Sequence, residues 1–181
     1  MIKSLLAFAT LAIMSTCAAA DDRFKLTSPD ISGGSFSDQH LADTFGCTGA
    51  NISPALEWSG APEGTLSFSV AIYDPDAPTG SGFWHWIVTD IPASAEGLPS
   101  GAGTSNDLLP QGSQPMKNDA GVTGYLGACP PAGETHRYII TVKALGVEKL
   151  PVSPDASGAM IGFVTNANLL SSASLEVTGS N

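Results

Sequence analysis

Fourteen consecutive residues concentrate groups able to bind a ligand or move a proton: Tyr73-Asp74-Pro75-Asp76-Ala77-Pro78-Thr79-Gly80-Ser81-Gly82-Phe83-Trp84-His85-Trp86. Asp74 and Asp76 can accept from a cation, a hydroxyl or an imidazole N–H. His85 offers one donor and one acceptor when neutral, and two donors when protonated. The chain has 3 histidines, of which His40 sits in an early loop and His136 opens a later strand. If His85 and His136 meet in one pocket, they can hold a phosphate or a carboxylate. Backbone N–H groups of the Gly80-Ser81-Gly82 turn and of the Gly124–Gly133 loop can supply further donors. A pocket carrying donors and carboxylates together suits a zwitterionic headgroup better than a bare anion. The plainer alternative is that Asp74 and Asp76 cap turns and orient the nearby ring, as Asp beside Pro commonly does.

Catalytic readings find less support. No G-x-S-x-G nucleophile elbow is present. Ser81 and His85 are close in sequence, but a triad is a matter of geometry, not of spacing. Asp74 and Asp76 stand two residues apart on a proline-rich loop, without the groove or the separation that glycoside hydrolysis needs. His85, His136 and one aspartate lack any spaced metal-ligand motif, and there is no C-x-x-C. The chain is therefore expected to be non-catalytic and to need no cofactor or metal.

Strands must position these groups. Ser67–Tyr73 alternates with Phe68, Val70 and Ile72 on one side, and Phe83–Thr89 returns after the loop. His136–Leu145 is the clearest strand. It puts His136, Tyr138, Ile140, Val142 and Ala144 on one face, so His136 and Tyr138 point toward the core where the strand begins. Phe24–Thr27 and Ala173–Val177 read as shorter strands, and Asn51–Trp58 puts Leu56 and Trp58 on one face. Residues 93–134 are rich in Gly, Pro, Ser and Asn and show no convincing element, so they must be functional or firmly pinned. Residues 154–170 carry a helical pattern, with Met160, Phe163, Val164 and Ala167 as the stripe and Ser153 or Asp155 as N-cap. The expectation is a mostly β (β-rich α+β) domain, an antiparallel β-sandwich with one C-terminal helix.

Within the 181 residues, Lys3, the apolar run Leu5–Ile13 and Ala18-Ala19-Ala20 have a secretory leader's layout, with cleavage expected after Ala20. Lipidation at Cys17 is the less favoured alternative, because Met14-Ser15-Thr16 matches its signal poorly. The apolar run is too short to span a bilayer. Residues 21–181 then form one domain, periplasmic or secreted, whose Cys47 and Cys129 are expected to pair as a disulfide. With 17 Asp and Glu against 7 Lys and Arg, the chain lacks the basic surface that nucleic acid demands.

Several stretches, in this order, resemble the bacterial branch of the phosphatidylethanolamine-binding protein family, also called Raf kinase inhibitor-like proteins. They are Asn51-x-Ser53-Pro54-x-Leu56-x-Trp58, Asp74-Pro75-Asp76-Ala77-Pro78, Pro78-Thr79-Gly80-Ser81-Gly82-x-Trp84-His85-Trp86, Asn118-Asp119-x-Gly121-x-x-Gly124-Tyr125-x-Gly127-x-x-Pro130-Pro131 and Gly133-x-x-His136-Arg137-Tyr138. The resemblance runs from about residue 24 to the C-terminus. It implies two antiparallel sheets with a small pocket at one end that binds phosphate-like anions and phosphoethanolamine. It carries ligand-binding roles onto Asp74, Asp76, Trp84, His85, Pro131, His136 and Tyr138, and makes Pro78 the candidate cis proline. Arg137 matches too, but its alternate face suggests a structural ion pair. Eukaryotic members place a second histidine where this chain has Trp86, so one ligand donor is lost. A protein partner, met through the loops including residues 98–120, and a weak hydrolase activity are the alternatives.

Overall fold

The computed structural model describes residues 24–181. The leader expected over residues 1–20, with Cys17, lies outside the described residues. Two antiparallel sheets face each other. The smaller joins β1 (Lys25–Thr27), β2 (Leu56–Ser59) and β5 (Gly97–Leu98) in the order β1-β2-β5. The larger joins β3 (Ser67–Asp74), β4 (Phe83–Pro92), β6 (Gln114–Pro115), β7 (Thr135–Leu145) and β8 (Leu169–Ser180) in the order β6-β4-β3-β7-β8. Leu26, Leu56, Trp58 and Leu98 of the small sheet meet Phe68, Val70, Ile72, Ile140 and Val142 of the large one in a single buried cluster. The alternation of β3 and β7 thus decides the sandwich, because a strand's odd and even side chains must go to opposite faces. The architecture is the mostly β sandwich that this patterning implies.

β8 is longer than the expected Ala173–Val177. It pairs along the whole of β7, from Thr135↔Ser180 to Leu145↔Leu169. The polar side chains between Leu169 and Ser174 hide this from a hydrophobic pattern, but an outer strand needs only its backbone to pair.

The stretch without convincing elements is firmly pinned. It contains β5, β6 and a 3-10 turn at Asn106–Leu108. Tyr125 donates its hydroxyl to the His40 carbonyl at 2.7 Å, Gly103 N–H donates to Ser53 Oγ at 2.8 Å, and Gly127 N–H donates to Asn51 Oδ1 at 2.7 Å. Cys129 is bonded to Cys47. His40 is fully buried, with Nδ1 on the Ile52 carbonyl at 2.8 Å, and serves this framework.

The helix α1 spans Gly158–Ala167, shorter than expected. Its N-cap is Ser157, whose hydroxyl accepts the Met160 N–H at 3.3 Å, while the Ser153 hydroxyl caps a preceding turn at Asp155. The buried face is Gly158, Ile161 and Thr165, so the expected stripe is wrong in phase: Met160 and Phe163 are 52% and 72% exposed. The reason is close approach. A Cβ on Gly158 would run into the Trp84 indole, so the helix rests on the sheet through its smallest residue, which carries no hydrophobic signal. At Gly162, one turn on, an added Cβ would meet nothing.

The two glycines should therefore respond oppositely in denaturant unfolding. Gly158→Ala should destabilise by about 1–3 kcal/mol through overpacking on Trp84. Gly162→Ala should stabilise by about 0.5–1 kcal/mol through helix propensity alone.

Candidate ligand-binding site

The site forms where the 74–86 loop meets the start of β7. Asp74, the last residue of β3, is 2% exposed. Its Oδ1 accepts the N–H groups of Asp76 and Ala77 at 2.8 and 3.0 Å, which holds the loop in an Asx-type turn. Its Oδ2 accepts Nδ1–H of His136 at 2.8 Å. One carboxylate therefore shapes the loop and aims the ring. Among the described residues no peptide bond is cis, so the Pro78 expectation is corrected: the Asx turn at Asp74 reverses the chain with a trans Ala77–Pro78 bond.

Asp76 is corrected as well. Its carboxylate takes Arg137 Nη2 at 2.7 Å, Arg137 Nε at 2.9 Å and the Arg137 backbone N–H at 2.9 Å. Those bonds hold its pKa at about 2. Bound to Arg137 three times, it fixes the loop to β7, and it is not among the residues that line the cavity. Arg137 is the structural ion-pair partner that its alternate face suggests.

A β-bulge decides where His85 and Trp84 go. Along β3 and β4 the partners are Ile72↔Trp86 and then Tyr73↔Trp84, so His85 is the extra residue. Paired residues share a face, and the extra residue shifts the alternation by one. Trp86 and His85 consequently both turn inward, while Trp84 goes to the outer face and packs on Tyr73 with ring centroids 4.5 Å apart. The expectation that Trp84 lines the pocket is thereby overturned. His85 is clamped twice to one residue: its carbonyl accepts the Leu126 N–H at 2.9 Å, and its Nδ1 donates to the Leu126 carbonyl at 2.9 Å.

His85 and His136 line one cavity of about 510 Å³, together with Asp74, Pro78, Phe83 and Pro131. Pro131 lies on the cavity wall. Tyr138 lies deeper, 1% exposed, its ring edge-on to His85 at 5.2 Å between centroids. Its hydroxyl has no hydrogen-bond partner, and burial pushes its pKa up. It supports the histidine from below and does not line the cavity. Trp86 is fully buried in the sandwich core, stacked edge-on with Tyr125.

Phe45 and Asn181 line the cavity and escape sequence reasoning, as does Glu134, which touches His136 from outside the lining. Glu134 Oε2 lies 3.2 Å from His136 Nε2. Alternation puts residue 134 on the face of 136, which is the signal that finds it. Phe45 is 72% exposed at the cavity and is held in the left-handed region at φ 57°. It is placed by the Cys47–Cys129 bridge, which ties its loop to the cavity wall at Cys129–Pro131.

The two imidazoles are electrostatically opposite. Burial lowers the pKa of His85, against the pull of the Leu126 carbonyl and Asp74, so near neutral pH the ring is uncharged. With Nδ1–H given to Leu126, Nε2 carries a lone pair. It lies 4.0 Å from Asp74 Oδ2, too far for a hydrogen bond. Burial alone would also lower His136, but bonds to Asp74 and Glu134 outweigh it and raise the pKa. With a carboxylate on each nitrogen, the charged form of that ring is favoured.

The family model described as phosphatidylethanolamine-binding protein matches residues 32–180. The chain belongs to the phosphatidylethanolamine-binding protein family. Within the family it is similar to YbcL of Escherichia coli K12, 46% identical over 176 residues that cover 96% of both chains. The crystal structure of E. coli YbcL superposes with a TM-score of 0.84, covering 88% of this chain and 99% of that one. YbhB of the same organism is 49% identical over 152 residues, 83% of this chain and 96% of its own. A phosphatidylethanolamine-binding protein homologue from Chlamydia trachomatis, 26% identical, superposes at 0.70 over 87% of this chain and 95% of its own.

Titration of this family member's ring protons by NMR should find His136 above, and His85 below, the 6.5 of a free imidazole. Asp74→Asn should lower His136. The linkage has opposite signs. His136 stabilises the fold fully below 6.5 and loses that contribution as pH rises through its raised pKa. His85 stabilises above 6.5 and loses its contribution as pH falls through its lowered pKa. Stability contributed by the pair should peak near 6.5, and replacing either histidine by Gln should leave a monotonic dependence of opposite sign in the two variants; the same dependence in both variants would contradict the assignment.

Proposed function

We propose that the protein is an exported, non-catalytic binding protein that holds a small phosphate-bearing ligand, of the phosphoethanolamine kind, between His85 and His136. The observation that carries this reading is the polarity of the two rings. Each is fixed through Nδ1, leaving Nε2 for the cavity: a lone pair on His85 and an N–H on His136. A phosphate that keeps one proton matches both. Its P–OH donates to His85, and a P–O⁻ oxygen accepts from His136. To do so the ligand displaces Glu134, whose side chain is 59% exposed and free to swing out. The displaced carboxylate is then available to an ammonium group, which favours a zwitterion over a bare anion. The Thr79 hydroxyl on the cavity wall is engaged with the Gly82 carbonyl, and the Cys129 sulfur is in the disulfide, so neither offers His85 a nucleophile. The disulfide and the leader-like residues 1–20 support a periplasmic or secreted location.

A neutral imidazole beside an imidazolium also has the polarity of a general base and acid. That is the specific support for a weak hydrolase as the second reading. Turnover of a phosphodiester probe that is lost in His85→Ala would replace the binding reading with this one.

Calorimetric titration at pH 6, where a phosphomonoester still keeps its proton in about half of the molecules, tests the first reading. Phosphate and O-phosphoethanolamine should bind, and sulfate, which has no O–H to give His85, should bind at least about tenfold more weakly. His136→Ala should abolish binding of all three. Glu134→Gln should tighten phosphate by about 3–10-fold, because a neutral amide competes poorly for the imidazolium. Equal affinity for sulfate and phosphate, or phosphate binding that survives His136→Ala, would overturn the proposal.

A further inference from the structure

The opposite face of the large sheet holds a second cavity, of about 190 Å³, between the outer side chains of β3, β4 and β7 and the helix α1. Its walls are mostly apolar: Ala71, Ile87 and Ile139 from the sheet and Ile161 from the helix, with the Trp84 ring to one side. It exists because α1 is held on Trp84 through Gly158, while Gly162 leaves open space where a side chain would otherwise fill the gap. An apolar cavity near 150 Å³ can take up benzene, so this one has room for an aromatic ring and a short substituent.

Four of the polar side chains on its walls have partners. Ser69 Oγ donates to the Val88 carbonyl at 3.1 Å, Thr165 Oγ1 to the Ile161 carbonyl, Tyr73 OH to the Ser81 carbonyl at 2.7 Å, and Thr141 Oγ1 pairs with Ser174 Oγ at 3.0 Å. Lys143 is different. Its Nζ makes one bond, to Asn166 Oδ1 at 2.6 Å, and among the described residues no carboxylate lies within 4.0 Å of it. Burial without a compensating charge lowers its pKa. In a chain of net charge −10, this ammonium stands at the rim of an apolar cavity, and its partial desolvation is a cost that one exposed amide bond only partly offsets. An incoming carboxylate would remove that cost.

We infer that this cavity is a second ligand site, which takes a small aromatic or short-chain carboxylate of about ten heavy atoms, its apolar body under α1 and its carboxylate on Lys143 Nζ. The site is separate from the histidine cavity, since Tyr73 and Trp84 face one side of the sheet while their neighbours Asp74 and His85 face the other. A bare hydrocarbon would leave Lys143 as it is, and a peptide helix is too large for the volume.

The test is NMR titration of the protein with phenylacetate and with phenylacetamide, which has nearly the same shape and no charge. Phenylacetate should shift the amides of α1 and of Ala71, Ile139 and Thr141, and should bind about tenfold more tightly than the amide. Lys143→Met should erase that preference while leaving phenylacetamide binding little changed. Gly162→Leu, which fills the cavity from a position without backbone strain, should abolish both and leave phosphate shifts at His85 and His136 intact. Absence of phenylacetate binding, shifts confined to other regions, equal affinity for acid and amide, or unchanged binding in Gly162→Leu would each overturn the proposal. The acid-to-amide ratio in Lys143→Met decides the matter even if the leucine variant does not fold.

Discussion

The buried bond from His136 Nδ1–H to Asp74 Oδ2 is the contact on which the functional end of the molecule depends. It joins the loop that leaves β3 to the start of β7, two segments 62 residues apart in sequence. Because Asp74 also accepts two backbone N–H groups of its own loop, ring and loop are oriented by a single side chain. The next two contacts follow from it. With 136 on the inner face of β7, 137 is on the outer face, and Asp76, two residues beyond Asp74, reaches Arg137 there. The loop is thereby stitched to the strand from both faces. Only the inner stitch is buried; the outer one is exposed and contributes geometry more than stability.

The bulge at His85 is the second constraint, and it explains why one sheet carries two cavities. A strand in unbroken alternation would have turned His85 outward with Ile87. The extra residue puts His85 and Trp86 on the inner side together and sends Trp84 out to become the platform for α1. Trp86 then fills the sandwich centre, which explains sterically why the position after His85 is not a ligand donor here: its side chain is 0% exposed and belongs to the core.

Much of this was legible in the residues. Alternation alone located β3 and β7, the inward face of His136, and the outward face of Arg137. Cysteine count anticipated the Cys47–Cys129 pair. Resemblance supplied the meeting of His85 with His136, which no spacing rule could, because long-range pairing is set by the sheet. Three things stayed hidden for identifiable reasons. A bulge has no hydrophobic signature, so Trp84 was placed with its neighbour. A helix that docks through Gly158, Ile161 and Thr165 shows its larger apolar residues to solvent, so the stripe of Met160 and Phe163 pointed the wrong way. And an aspartate before an alanine reads the same whether it faces a ligand or an arginine, so Asp76 was indistinguishable from Asp74.

Net charge is a poor guide to what the histidine cavity accepts. The chain carries −10 overall, yet exposed charges act over a Debye length of about 8 Å at physiological salt. At the site itself one imidazolium stands between Asp74 and Glu134, so the local groups do not sum to an anion trap either. What distinguishes the cavity is direction: one ring nitrogen that can only donate and one that, while its ring stays neutral, can only accept. With Trp86 in the core, donor and acceptor stay balanced, and on the proposed reading recognition rests on the ligand's own proton more than on its charge.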